Sequence, residues 1–468
     1  MMRIRSSLRE QVAVARYLAR WLLMLTPVAF VVGTASAAFL WSLKWATETR
    51  WEHGWLLFLL PAAGLLSAAA YHRFGRAVEG GNNLIVDEIH TPGGGIPPRI
   101  TPLIFGTTVL AHLFGASVGR EGTAVQMGGG IASAFDRVFR VGPEDLRTLL
   151  MAGVAAGFGA VFGTPLAGAV FAMEVLAVGR MEYGALIPVL YAALAADFTA
   201  AAWDAHHTAY HVSIVARDGS LPFSALLMGK VALGGVAFGL AALFFTELTH
   251  GLGQVFRRSI KNPLFRPVVG GALTIALVYL LGTRDYLGLG VTSPEAGATT
   301  IVSSFERGGA DPFSWWWKIA FTALALGSGF KGGEVTPLFF IGATLGNRVA
   351  ALLDGPADLF AGMGFVAVFG AAANTPLACT IMGIELFGGN AAPYLALACF
   401  VAYLVSGHRG IYLSQRIGTP KTGDLSPAIG TTLREVRDGG RAGSAASGAA
   451  GNGESTDAPA TERPAKAD

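Results

Sequence analysis

Two short acidic clusters stand inside apolar sequence, Gly119-Arg120-Glu121-Gly122-Thr123 and Gly332-Gly333-Glu334-Val335-Thr336. A carboxylate in such surroundings is costly to keep charged, so its protonation state responds to whatever occupies the space beside it. Paired Gly-x-Glu-x-Thr turns in apolar sequence therefore suit the movement of ions and protons better than bond making. An anion could be held without a fixed basic pocket, which would bind a small anion too tightly for turnover, by outward-pointing hydrogen-bond donors. The Asn82 amide nitrogen, the Thr336 hydroxyl and the Tyr412 phenol can each donate a hydrogen bond, although by residue type alone Asn82 could equally cap a surface turn and Tyr412 could be an interfacial aromatic beside Arg409 and Arg416. Helices opening at Gly81 to Ile85 and at Gly333 to Pro337 would add unsatisfied backbone amides and the favourable end of a helix dipole.

Other chemistries lack their residues. No nucleophile is spaced with a base and no His/Cys/Asp/Glu array has metal-ligand spacing, so neither an enzyme nor a metal or organic cofactor is expected. His112 reads as a packed, hydrogen-bonded histidine. Cys379 and Cys399 lie in apolar sequence and read as small hydrophobes.

The elements that must position these groups belong to a membrane. Of 468 residues, 52% are hydrophobic and only 14% charged, against about 25% charged in a soluble domain. The 63 glycines follow no collagen-like period, and in apolar segments they allow close helix contact or helix breaks. Several apolar stretches are shorter than the roughly 20 residues of a simple span, and Gly-Pro or Thr-Pro breaks interrupt others. Interrupted helices survive in a bilayer only where protein or a polar cavity satisfies the freed backbone groups. The expectation is an all-α integral membrane protein with broken, tilted helices.

Arg3, Arg5, Arg9, Arg16 and Arg20 precede the first long apolar run and predict a cytoplasmic N-terminus. Residues 1–20 are expected to form an interfacial segment, with an amphipathic helix at about 5–18, and residues 21–417 a transport domain. Residues 418–468, rich in Ser, Gly, Ala and Thr, are expected to form a disordered cytoplasmic tail. The net charge of +3 is spread over loops and tails, so no nucleic-acid partner is expected. Trp315-Trp316-Trp317 reads as a membrane-interface belt.

The sequence repeats. Phe162-Gly163-Thr164-Pro165-Leu166-Ala167 returns as Asn374-Thr375-Pro376-Leu377-Ala378, and nine residues beyond each proline stands an acid, Glu174 and Glu385. The shift is 211 residues there and 213 from Glu121 to Glu334, so order and spacing recur together. Both later acids read as structural hydrogen-bond acceptors. Hydropathy leaves the relation of the halves, parallel or inverted, undetermined. Repeated halves with broken helices point to a transporter whose site lies at their interface.

At this point the chain resembles the CLC family of chloride channels and transporters. Gly119-Arg120-Glu121-Gly122-Thr123 resembles the family's Gly-Arg-Glu-Gly-Pro, and Gln126 with Gly128-Gly129-Gly130 also fits. Gly332 to Pro337 stands at the second-half Gly-x-Phe-x-Pro element, and Tyr412 matches the late tyrosine facing the central anion. The resemblance spans about residues 20–420 and implies a CLC-like inverted repeat and a homodimer with one pathway per subunit.

Departures from the commonest pattern narrow the reading. The usual Gly-Ser-Gly-Ile-Pro loop is replaced by Gly81-Asn82-Asn83-Leu84-Ile85, Thr123 replaces proline, and Glu334 and Thr336 alter the second-half element. These resemble the bacterial branch that exports fluoride in exchange for protons; a chloride/proton antiporter or an uncoupled anion channel is the alternative. Val175 stands where family antiporters often carry an inner glutamate, as in the fluoride branch. By this resemblance Glu121 is the proton-linked gate, and Asn82, Glu334, Val335, Thr336 and Tyr412 set anion binding and selectivity. A Glu121 merely paired with Arg120, or a peripheral Glu334 resting against Lys331, is the plainer structural alternative. The implied setting is the bacterial inner membrane, crossed many times, with both termini cytoplasmic and lipid, fluoride and protons as partners.

Overall fold

The computed structural model describes residues 2–205, 207–210, 212, 224–423 and 427–439. Glycine and proline punctuate the apolar sequence into helices of unequal length. The first half comprises α1 (Met2–Glu52), α2 (Leu60–Ala70), α3 (Asn82–His90), α4 (Ile100–Leu113), α5 (Glu121–Phe139), α6 (Pro143–Phe162), α7 (Pro165–Glu174) and α8 (Leu186–Ala202). The second comprises α9 (Ala225–Ser259), α10 (Arg266–Leu281), α11 (Ser314–Ser328), α12 (Val335–Leu353), α13 (Ala357–Ala373), α14 (Pro376–Phe387) and α15 (Ala392–Val405). Among the described residues seven helical stretches are long and apolar enough to cross a membrane, and shorter apolar helices lie between them. The result is an all-α, multi-span membrane fold with broken and tilted helices. α1 has 51 residues, about 77 Å at the helical rise, so it must tilt or project beyond a bilayer of about 45 Å.

The halves meet through backbone. Gly119 and Gly333 form an antiparallel bridge, with N–H···O distances of 2.5 and 2.8 Å. α5 and α12 both start just after it, so two helix N-termini converge in the interior, as inverted repeats sharing a midplane require. Each half then closes a helix pair through glycine: a Cβ at Gly153 would strike the Gly128 carbonyl between α5 and α6, and one at Gly364 would strike the Gly342 carbonyl between α12 and α13. Small residues let these backbones touch, which stabilises helix pairs where lipid supplies no hydrophobic drive. Phenylalanines from both halves fill the centre, with Phe339 and Phe365 stacked at 4.0 Å and Phe162 and Phe158 beside them.

The bridge corrects the repeat register. Gly119 pairs with Gly333, α5 and α12 begin at Glu121 and Val335, and Gly128 and Gly342 make equivalent contacts; each pair is 214 residues apart. The structural counterpart of Glu121 is therefore Val335, and that of Glu334 is Arg120. The match of the two acidic clusters at 213 is out of register by one residue.

Two boundaries also differ from expectation. No break separates residues 1–20 from the transport domain, because α1 runs unbroken through residue 20, where Arg20 pairs with Asp145 and Trp21 is buried. The tail is ordered beyond 418. β2 (Arg416–Ile417) pairs in parallel with β1 (Ala177–Val178), and a helical turn at 433–439 follows a Thr-x-x-Glu capping box. Thr432 N–H donates to Glu435 at 2.8 Å and Glu435 N–H returns to Thr432 Oγ1 at 3.2 Å. The Thr432 amide, together with the Thr432 hydroxyl that donates at 2.9 Å, holds the Glu435 carboxyl below its ordinary range, Leu433 buries against Val178 and Tyr403, and Arg437 reaches Glu247 at 3.3 Å. Composition hid a local cap that outweighs it. Residues 440–468 of the expected tail lie outside the described residues.

Candidate functional site

Four chain segments converge at the bridge: the N-termini of α3, α5 and α12, and the irregular segment after α15 that carries Tyr412. Gly81 caps α3 at φ +56, and a Cβ there would lie 3.2 Å from the Gln126 side chain. Glycine is thus required both by the left-handed backbone and by the closeness of α5. Asn82 follows as the first residue of α3. Asn83 fixes the fourth segment by accepting the Ser414 N–H at 3.0 Å.

Glu121 is fully buried. Its Oε2 accepts the Thr336 hydroxyl at 2.6 Å and the Thr336 amide at 3.1 Å. The carboxylate of one half thus occupies the helix N-terminus of the other, where a free anion would also be favoured. The pairing with Arg120 exists as well, with Nε donating to Oε1 at 3.3 Å. The ion pair and the helix-end position are simultaneous because the two oxygens face different partners.

Glu334 does not rest against Lys331, whose ammonium lies 4.2 Å from the centre of the Tyr71 ring. The Glu334 carboxylate instead accepts from Asn82 Nδ2 at 3.4 Å and from the Tyr412 phenol. Asn82 Oδ1 is buried without a partner. Tyr412 packs edge-on against Phe171, 6.4 Å away. Val335 is buried and apolar, so what it can offer an anion is the first amide of α12. Gly122 keeps the centre open: a Cβ there would sit 3.1 Å from Asn82 Nδ2 and 3.3 Å from Glu334. All six sequence-predicted residues thus come together, in two linked clusters of Glu121 with Thr336 and Glu334 with Asn82 and Tyr412.

Two cavities approach this centre. One of about 270 Å³ is lined by Glu79, Asn82, Lys331, Glu334 and Tyr412. A second of about 460 Å³ reaches Arg120, Lys44 and Asp204. They lie at opposite ends of the span that contains α2, the first beside Tyr71 and the second beside Trp51. Glu121 lines neither of them, while its chain neighbour Arg120 lines the second and Glu334 the first.

Glu174 and Glu385 have a structural role more definite than their sequence implied. Glu174 accepts the amides of Leu377 and Ala378 at 3.1 and 2.8 Å, and Glu385 those of Leu166 and Ala167 at 2.9 and 2.8 Å. Each carboxylate caps the Thr-Pro helix start of the opposite half. His112 Nδ1–H donates to the Thr108 carbonyl at 2.8 Å, and Cys379 and Cys399 are buried and free. Trp316 stacks on Phe244 at 4.8 Å and is partly exposed at the start of α11. Among the described residues no three His, Cys, Asp or Glu side chains gather as a metal site.

Sequence reasoning overlooked Gln415, whose amide donates to the Val175 and Ala373 carbonyls, both at 2.8 Å. It locks the Tyr412 segment to both halves. It also overlooked two buried cations, Arg50 and Lys318; Lys318 stands within an apolar run, which was an available signal, whereas Arg50 stands among Thr47, Glu48, Thr49 and Glu52 and gave none.

Broken helices whose ends meet around buried, exchangeable carboxylates define a membrane transporter rather than an enzyme. The family described as voltage gated chloride channel matches residues 63–407, and the chain belongs to that family, the CLC proteins. A chloride/fluoride channel protein of Pseudomonas syringae pv. tomato is 50% identical over 418 residues, covering 88% of this chain and 90% of the relative. An H(+)/Cl(-) exchange transporter ClcA of Vibrio vulnificus is 29% identical over 371 residues, covering 73% and 76%. The crystal structure of a CLC-type fluoride/proton antiporter superposes with a TM-score of 0.80 at 32% identity, covering 85% of this chain and 98% of that one. A slow cyanobacterial Cl-/H+ antiporter shares the fold, with a TM-score of 0.69 at 20% identity over 84% and 96% of the chains.

Proposed function

We propose that this protein is a fluoride/proton antiporter that exports cytoplasmic fluoride using the inward proton gradient. The observation that carries the reading is the Glu121 carboxylate seated on the α12 N-terminus. A charged Glu121 fills the anion position; a protonated one binds there less strongly and yields it to fluoride. Proton and anion movements are thereby linked through one side chain.

Fluoride is strongly hydrated, so its binding demands compensating donors. Asn82, Thr336, Tyr412 and the Val335 amide supply them beside a Glu334 that can exchange a proton. The likeness to the superposed fluoride/proton antiporter supports fluoride, while the relative at 50% identity is described for both chloride and fluoride. The second reading, chloride/proton exchange, rests on similarity to the ClcA transporters.

Both cavities and the Glu121 plug come from one chain, so each subunit of the expected homodimer would carry its own pathway. Cytoplasmic N-terminal arginines would place the Tyr71 and Glu334 cavity inside and the Trp51 and Arg120 cavity outside, in a bacterial inner membrane. The test is flux from proteoliposomes of purified protein under an imposed pH gradient, with fluoride, chloride and protons recorded together. Fluoride movement far above chloride with reciprocal proton movement is the expected result. Equal chloride movement overturns the selectivity, and fluoride movement without protons overturns antiport.

A further inference from the structure

Beyond the central pathway, two arginines share a cavity on the Arg120 side. Arg50, at the end of α1, is only 9% exposed, and its Nε has no hydrogen-bond partner. Its guanidinium interacts through space with that of Arg284. Both line a cavity of about 100 Å³ between the end of α1 and the 284–300 loop. Two like charges facing one partly dry space repel unless something negative lies between them.

The protein does not supply that charge at ion-pair distance. Among the described residues neither arginine forms a salt bridge. Asp285 and Glu295 also line the cavity, but the Asp285 carboxylate is engaged by the Thr299 amide at 2.9 Å, and Glu295 is exposed on the rim. A further cation stands behind: buried Lys318 interacts through space with Arg50 while donating to the Tyr286 and Gly288 carbonyls at 3.1 and 2.7 Å.

Room for the guanidinium is specifically made. Gly288 has φ +55, and a Cβ there would lie 3.0 Å from Arg50 Nη2. The cavity also adjoins the larger one that reaches Arg120, since Thr47, Trp51, Leu289, Val291 and Thr292 line both. An anion between the arginines would therefore lie next to the cavity that reaches Arg120.

We propose that Arg50 and Arg284 form a second anion site, which holds a small monovalent inorganic anion at the mouth on the Arg120 side. The buried guanidinium of Arg50 provides the fixed charge, and the exposed one of Arg284 closes over the ion from the rim. The site collects halide from the solution on that side and keeps the local anion concentration high beside Glu121.

The test is bromide, located by anomalous scattering in crystals of the full chain. A peak between the two guanidiniums is expected in the native protein, and its loss is expected in Arg284→Gln. Because Arg284 is exposed, this variant should fold even where Arg50→Gln does not. In proteoliposomes, Arg284→Gln should raise the half-saturating fluoride concentration on the Arg120 side about fivefold with maximal flux unchanged. Absence of the native peak, or a peak of equal height in Arg284→Gln, overturns the site. An unchanged half-saturating concentration overturns its collecting role. The bromide result does not depend on fluoride being the transported ion, so it stands or falls apart from the proposed function.

Discussion

Replacing Glu121 by Gln tests the plug most directly. The native carboxylate holds the α12 N-terminus through the Thr336 hydroxyl at 2.6 Å and amide at 3.1 Å, with Arg120 at 3.3 Å on its other oxygen. Hydrogen bonds to a charged group contribute roughly 1.5–3 kcal/mol and neutral ones roughly 0.5–1.5. Two bonds to Thr336 each weakened by about 1 to 1.5 kcal/mol make the glutamine about 2–3 kcal/mol weaker as a plug. That is roughly a 30- to 150-fold shift away from the occupied position. The glutamine also carries no exchangeable proton. In proteoliposomes with paired fluoride and pH electrodes, proton movement should fall to the level of protein-free vesicles, and a pH gradient should no longer drive fluoride. Proton movement at the native ratio to fluoride would refute the assignment of Glu121, whatever the rate.

Further outcomes follow from other contacts. Asn82→Ser should weaken fluoride-over-chloride discrimination with little loss of stability, because its bond to Glu334 is long at 3.4 Å; competitive flux measures the first and thermal unfolding the second. Glu174→Ala leaves two helix-end amides uncapped and should cost about 2–4 kcal/mol, read as a lower unfolding midpoint in detergent, with Glu385→Ala behaving alike. Gly342→Ala drives a methyl into the Gly364 carbonyl and should prevent native packing of α12 on α13, whereas Gly106→Ala, where nothing lies within 4 Å, should be neutral or stabilising. Glu435 is depressed by its bonds to Thr432, so its contribution to the 432–439 turn is present above its unfolded value and is lost as pH falls through its folded one, below the usual carboxylate range. Exchange of the Leu433 amide, corrected for intrinsic rate, should rise as pH drops through that window.

What was legible in the sequence was what is local. Apolar runs with glycine and proline breaks specify membrane helices, and Gly81, Pro165 and Pro376 mark helix starts by backbone rules alone. The partners were not legible. Nothing in the sequence around Gly128 says that it meets Gly153, and Glu174 gives no local sign that it caps α14 from 203 residues away. The ordered turn at 433–439 was hidden for the opposite reason: a regional composition typical of disorder outweighed a readable capping box at Thr432 and Glu435. Buried Arg50 went unremarked because it stands with Glu48 and Glu52 at the polar end of α1, where the sequence suggests exposure.

The one-residue register correction explains why the two acids differ. Helix starts and the Gly119–Gly333 bridge align Glu121 with Val335 and Arg120 with Glu334. Glu121 is the first residue of its own helix, and from there its side chain crosses the bridge into the first turn of α12. Glu334 precedes its helix, so it occupies the position from which Arg120 reaches Glu121 in the other half. It turns instead toward Asn82 and Tyr412, at the cavity on the other side. Had the acids been symmetry mates, each would plug the other's helix, and two like charges would compete for one small space. The offset gives each acid its own donors: Thr336 and Arg120 for one, Asn82 and Tyr412 for the other. Under the proposed antiport, a proton and an anion would pass between two neighbouring sites without both carboxylates having to leave together.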